Sequence, residues 1–328
     1  MIIVRFTSGL GNQMFQYNFY RFLKEMYPDV SVKADLTWFY ANNDHHGYEL
    51  DRVFSLGRVS RYCIEEANKY EIYSATRQIP PIIKGKFAKQ CVFLLGPVNR
   101  IIREHSKSYT NVNRIDQLDG DIDNHYVIAA DGTKINPMYD FVTNLDTKKD
   151  WYITGFWIEE HYYKNRIDKL HKELVFPELT DEANLQMAES IRACESVSIH
   201  VRRGDYLSQT YSSMFKSLGR EYYESAVNTI KERVNNPHFF IFSDDPEYID
   251  SAFEWLPDRT IVNINSGDDS YRDMQLMSMC RHNIVAHSTF SQWGALLNRN
   301  EGHLTIYPSS YLADEDTEIK SLPGWIRV

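Results

Sequence analysis

The stretch Ile2–Ala34, IIVRFTSGLGNQMFQYNFYRFLKEMYPDVSVKA, decides the fold class. Ile2 to Phe6 is an apolar run of strand length. The turn Ser8-Gly9-Leu10-Gly11-Asn12 follows it, and a helix begins at about Gln13. In that helix Phe15, Phe19, Phe22 and Met26 recur at helical spacing along one stripe. Val30 to Ala34 reads as a second strand. Strand, glycine turn, helix and strand in this order form the unit from which α/β proteins with parallel sheets are built.

Outward from this unit the pattern weakens and then returns. Ser106 to Asn124 is polar and reads as a loop or insertion, while Tyr126–Ala130 and Tyr152–Phe156 read as strands. Glu160 to Phe176 is a helical stretch ended by Pro177, which sets a domain boundary between 1–176 and 177–328. A chain of 328 residues is long enough for two domains with sizeable cores. In the second half, strands at Val197–Val201, Phe239–Phe242, Ile261–Ile264, Ile284–Ala286 and Leu304–Tyr307 alternate with helices. The helices are marked by Tyr222, Ala226, Ile230 and Val234, then by Tyr271–Cys280 and Gln292–Leu297. Such alternation predicts a parallel sheet, and parallel sheets bind ligands at the carboxyl ends of their strands.

The formal net charge is −9, from 36 Lys and Arg against 45 Asp and Glu. This excludes broad nucleic-acid binding, which needs a positive field, so any anion must be held by a local pocket. The four cysteines, Cys63, Cys91, Cys194 and Cys280, form no C-x-x-C pair and fit a reducing compartment. No basic flank with a long apolar segment opens the chain, and no run approaches a membrane span. The expected location is therefore the cytoplasm, free or peripheral at the inner membrane. Aromatic residues make up 14% of the chain, a density that suits stacking on bases or sugars, although core filling accounts for most of it.

Four constellations carry chemistry. Gly9-Leu10-Gly11-Asn12-Gln13 opens like a dinucleotide fingerprint, but Met14 stands where the third glycine belongs, so it serves as a tight turn or as a helix N-terminus meeting phosphate or sugar. His200-Val201-Arg202-Arg203-Gly204-Asp205-Tyr206 follows a strand directly. Its arginine pair is either a pyrophosphate clamp or a surface ion-pair cluster; His200 and Arg202 face one pocket, and Arg203 braces against Asp205 or the turn. Phe242-Ser243-Asp244-Asp245-Pro246 ends another strand. Its carboxylates suit a divalent cation, the donor edge of a guanine, or the start of a helix. Ser288-Thr289-Phe290-Ser291 is a hydroxyl-rich turn before a helix, an anion cradle with Ser291 as an ordinary N-cap. His45 and His46, with Trp157, are candidates for the acceptor side, where aromatic faces suit sugar rings; no nearby ligand set completes a metal site around the histidines.

Together, Gly9 to Tyr17, His200 to Tyr206, Phe242 to Asp245 and Ser288 to Ser291 resemble the α-1,2-fucosyltransferases of glycosyltransferase family 11, above all the bacterial members. The likeness covers most of the chain, and the hallmark H-x-R-R-x-D-Y is matched in full. The resemblance implies a GT-B fold, two Rossmann-like domains facing across a cleft, with the nucleotide held mainly by the C-terminal one. It implies inverting transfer of L-fucose from GDP-fucose to the 2-hydroxyl of a galactoside-type acceptor glycan, free or lipid-linked, with no metal and no cofactor. It places His200 at the guanine and Arg202 at the β-phosphate, Asp245 beside Asp244 at the base edge, and Ser291 with its neighbours at the pyrophosphate. Arg202 and Asp205 are the catalytic candidates, and Asp35, Glu159 and Glu160 are further acids from which a general base could come. His287, Gln292 and Ser8 replace the family's usual Asn, Trp and Gly, which leaves the sugar and acceptor less constrained than the nucleotide. Two other readings stay open: a transferase using another nucleotide sugar, and a non-catalytic nucleotide-sugar-binding protein.

Overall fold

The chain folds around two six-stranded sheets, one in each of two compact units, Met1–Asp168 and Lys169–Val328. The computed structural model describes residues 1–42, 46–56, 62–105, 112–117, 127–129, 134–135, 138–203, 218–309 and 324–328.

The first unit grows from β1 (Ile2–Arg5), α1 (Leu10–Met26) and β2 (Val32–Asp35), with β1 and β2 parallel from Ile2 opposite Val32 to Arg5 opposite Asp35. α1 begins three residues ahead of the sequence expectation: Gly9 is its N-cap, so Gly11 and Gln13 lie inside the helix. Its buried surface is also wider than one stripe. Gln13, Gln16 and Asn18 are buried with Phe15, Tyr17 and Phe19, while Met26 is exposed. Those amides can enter the core because loop carbonyls receive them: Gln16 Nε2 donates to Gly155 O at 3.1 Å, and Asn18 Nδ2 to Tyr162 O at 3.2 Å.

Short helices α2 (Trp38–Ala41), α3 (Leu50–Phe54) and α4 (Lys69–Thr76) lead to α5 (Ala88–His105). Then come β3 (Val112–Gln117), β4 (Val127–Ala129), β5 (Lys134–Ile135), α6 (Met138–Thr143) and β6 (Asp150–Ile153). The sheet order is β2-β1-β6-β3-β4-β5; β2, β1, β6 and β3 run parallel, and β4 and β5 form an antiparallel edge. The polar stretch 106–124 thus contains a sheet strand, β3, rather than only a loop or insertion; polarity conceals it because its pairing comes from β6 and β4, neighbours in the sheet. The helix expected over Glu160–Phe176 is broken. A single 3-10 turn at Glu160–Tyr162 precedes α7 (Ile167–Glu173), within which the division between the units falls.

The second unit contains α8 (Glu182–Arg192), β7 (Glu195–Val201), α9 (Arg220–Lys231), β8 (Pro237–Ser243), α10 (Pro246–Ala252) and β9 (Arg259–Val262). It continues through α11 (Tyr271–Met279), β10 (His282–Ile284), α12 (Thr289–Leu296), β11 (Thr305–Tyr307) and β12 (Ile326–Arg327). All its strand pairs are parallel, in the order β12-β11-β10-β7-β8-β9. Read from β9, this is the 3-2-1-4-5-6 order of the Rossmann fold, whose direction of growth reverses between β7 and β10. β7 is buried on both faces, yet the faces differ. Val197, Ile199 and Val201 pack with Ala226, Val227 and Ile230 of α9. Ser196, Ser198 and His200 alternate with them and are buried as well. Ser198 Oγ accepts from Asn283 Nδ2 at 2.8 Å, and Asn283 Oδ1 accepts from Asn298 Nδ2 at 2.7 Å. Two Rossmann-like units in succession are the composition of a GT-B chain.

Candidate active site

In a doubly wound sheet the ligand crevice opens beyond the carboxyl ends of the two strands at the reversal. In the second unit these strands are β7 and β10, and the His200 and Ser288 motifs occupy their ends.

His200 is the last residue of β7's polar face. Its ring lies 5.8 Å from that of Phe290 in the first turn of α12, centroid to centroid. Burial, helped by the Arg202 guanidinium and opposed by Asp244, pushes the imidazole pKa down to about 4. The ring is therefore neutral at pH 7. Its Nδ1 is buried and has no hydrogen-bond partner among the described residues, so it is available to a ligand's polar edge.

Just beyond β7, Arg202 pairs with Asp244 at 2.8 Å, and the same carboxylate accepts the backbone N–H of Arg203 at 2.9 Å. Asp244 thus ties the end of β7 to the end of β8 and sets the direction of the Arg202 fork. Arg203 pairs with Asp245 at 3.5 Å, and its guanidinium carbon stands over the Tyr248 ring, 3.6 Å from its centroid; the turn that begins at Gly204 lies outside the described residues. Asp245 is also the N-cap of α10, accepting from Tyr248 N–H at 3.3 Å. Each carboxylate in the pair thus serves one arginine and one backbone amide. Tyr248 was missed from sequence; its signal was its place three residues after a capping aspartate, which turns its ring back toward the cap.

At the end of β10 the N-cap of α12 is Ser288, not Ser291, and no side chain caps it. Ser291, one turn in, closes the loop beneath: its Oγ accepts from Ala286 N–H and donates to Ser288 O, each at 3.1 Å. That hydroxyl is spent on the loop, which leaves the first-turn amides of Thr289, Phe290 and Ser291 as the anion-facing donors. His287 and Gln292 flank them and are buried. The ring of Tyr222 supports the same loop, its hydroxyl donating to Val285 O at 2.5 Å.

The first unit's candidates divide. Gln13 is fully buried, and its amide is fully used: Nε2 donates to Ser8 O and Gly47 O at 2.8 Å, and Oε1 accepts from Glu49 N–H at 2.9 Å. It latches the β1–α1 loop to the segment before α3 and is no ligand for phosphate or sugar. Asn12, half-buried, keeps that possibility together with the uncapped start of α1 at Gly9 and Gly11. Trp157 is 1% exposed and stacks on Phe19 with centroids 3.9 Å apart, so it is a core residue and offers no face to a sugar. Asp35 is likewise committed, accepting from Thr37 N–H and Oγ1 on one oxygen and from Tyr152 Oη on the other. Glu160 forms an ion pair with Lys164. His46 is exposed, with a left-handed backbone at φ 71°. His45 and Asp205 lie outside the described residues. Among the described residues, no three His, Cys, Asp or Glu side chains gather as a metal-ligand set.

An arginine fork and an uncapped helix start at the reversal of a Rossmann-like sheet make a candidate site for a phosphorylated ligand. The chain belongs to glycosyl transferase family 11, whose model matches residues 99–328. It is similar to the alpha-1,2-colitosyltransferase of Escherichia coli, at 28% identity over all of this chain and 99% of that protein. It is also similar to the galactoside 2-alpha-L-fucosyltransferase SEC1 of Bos taurus, at 32% identity over 35% of this chain and 31% of that one. Among solved structures it is similar to fucosyltransferase NodZ from Bradyrhizobium, with a TM-score of 0.49 and 12% identity over 90% of this chain and 93% of that one.

Proposed function

We infer that this glycosyltransferase moves L-fucose from GDP-fucose to the 2-hydroxyl of a galactoside-type acceptor, with inversion and without a metal. The observation that carries the reading is Arg202, aimed by Asp244 at the strand end where a Rossmann sheet binds phosphate. The acceptor oxygen bonds to the anomeric carbon as the bond from that carbon to the β-phosphate oxygen breaks, and GDP departs with the electron pair. Arg202 and the α12 amides stabilise the charge that builds on the phosphate. His200, neutral and with an Nδ1 that has no partner among the described residues, meets the base. Asp205 takes the acceptor's proton in this scheme.

A second reading has a specific support, the full-length similarity to a protein named for α-1,2-colitosyl transfer. The purified protein is assayed with GDP-fucose and with GDP-colitose on β-galactoside acceptors, with and without EDTA, and the product linkage is read by NMR. Fucosyl product linked α-1,2 and unaffected by EDTA is the expected result. Preference for GDP-colitose establishes the second reading. Donor binding without transfer to any acceptor overturns both, and loss of activity with EDTA removes the metal-free scheme.

A further inference from the structure

The largest display of apolar surface on the described residues is far in sequence from the phosphate motifs. It begins at Ile82-Ile83-Lys84-Gly85-Lys86-Phe87 and continues along α5. The inner side of α5 is docked: Ala88 is buried, Cys91 and Leu95 are half-buried, and Asn99 makes two hydrogen bonds with the Ile79 backbone, at 2.9 and 3.2 Å. The outer side faces water with large hydrophobes. Leu94 is 70% exposed and Phe93 80%, while Val98 and Ile101 follow Leu94 at steps of four and three on the same face.

Charge identifies what covers this face. Residues 82–104 contain five Lys or Arg (Lys84, Lys86, Lys89, Arg100 and Arg103) and one acid, Glu104, in a chain whose net charge is −9. Lys89 and Arg100 are eleven residues apart, about three turns, and flank the apolar stripe on one side. Lysine is depleted from protein–protein interfaces. Lysines interleaved with exposed Ile and Phe are the usual make-up of a helix lying in an anionic lipid surface, where the stems bury and the ammonium groups reach the headgroups. No helix among the described residues is long and apolar enough to cross a membrane. The arrangement is that of a helix lying in the plane.

We propose that residues 82–101 form a membrane-docking surface that seats the protein on an anionic bilayer, Phe87, Phe93 and Leu94 entering the interface and the basic residues meeting lipid phosphates. The surface does not depend on the identity of the sugar donor. Its consequence for a transferase is that an acceptor carried on a lipid is presented where the enzyme already sits.

The test is co-sedimentation of the whole protein with vesicles of phosphatidylglycerol and phosphatidylethanolamine, against phosphatidylcholine vesicles, at low and high salt. Wild type binds the anionic vesicles and loses binding as salt rises. F93E/L94E lowers partitioning at least about tenfold, and each of K84Q, K86Q and K89Q lowers it about fivefold. Circular dichroism and thermal unfolding of all variants match wild type, because the replaced side chains are exposed. The proposal is overturned by no binding to anionic vesicles, by binding indifferent to these variants, or by a solution dimer that F93E/L94E dissociates.

Discussion

Removing the Arg202 guanidinium takes away one preorganised donor from the departing phosphate, a loss of typically ~10²–10³ in rate. Arg202→Ala is expected to lower kcat by that factor in single-turnover transfer. Arg202→Lys recovers only part of it, since an ammonium lacks the planar fork. His200 gives a different kind of prediction. Its folded pKa, about 4, is below the ordinary 6.5, so between these values the unfolded chain holds a proton that the folded chain does not. The stability contribution is present above pH 6.5 and is lost as pH falls toward 4. Urea unfolding over that range should show wild type losing up to ~1.4 kcal/mol per pH unit more than His200→Gln. At this scale the candidate motifs were legible because each is a contiguous stretch at a strand end. Trp157 was not, because what makes it core is a stack on Phe19, a neighbour in space alone.

At the scale of elements, α1 shows how a motif can be right in place and different in use. Glycines and amides after a first strand read as ligand contacts, and Gln13 instead joins three backbone groups from two loops. Gln13→Ala leaves those groups unpaired in a buried place. At ~0.5–1.5 kcal/mol for each hydrogen bond, chemical denaturation should record a loss of about 2–4 kcal/mol. β7 to β11 of the second unit were legible to within two residues at each end, because buried parallel strands are short apolar runs between helices, while the two-residue β12 was not. Nor was β3. Its residues VNRIDQ carry no apolar run, and registry with β6 on one side and β4 on the other makes them a strand. Helix starts shifted for a related reason: Gly9 and Ser288 supply cap backbone geometry without a capping side chain, so the usual signal was absent.

On the scale of the whole molecule, the order of strands in space differs from their order in synthesis. β7 is made first in its sheet and ends in the centre, paired at once with β8 on one side. Its other neighbour, β10, arrives much later; the Asn283 that bonds Ser198 is 85 residues further along. Until then, one edge of the central strand waits unpaired. Along that edge the strand carries Ser196, Ser198 and His200 on one face, so a half-made sheet presents hydroxyls and an imidazole there where a fully aliphatic strand would be stickier. Ser196→Val/Ser198→Val should therefore lower the yield of refolding from urea, read as light scattering, by more than its change in equilibrium stability accounts for. An unchanged yield would assign the polar ladder to the finished fold alone. With the expected loss, the residues that lead up to the candidate site also protect the nascent chain from aggregation before there is any site to build.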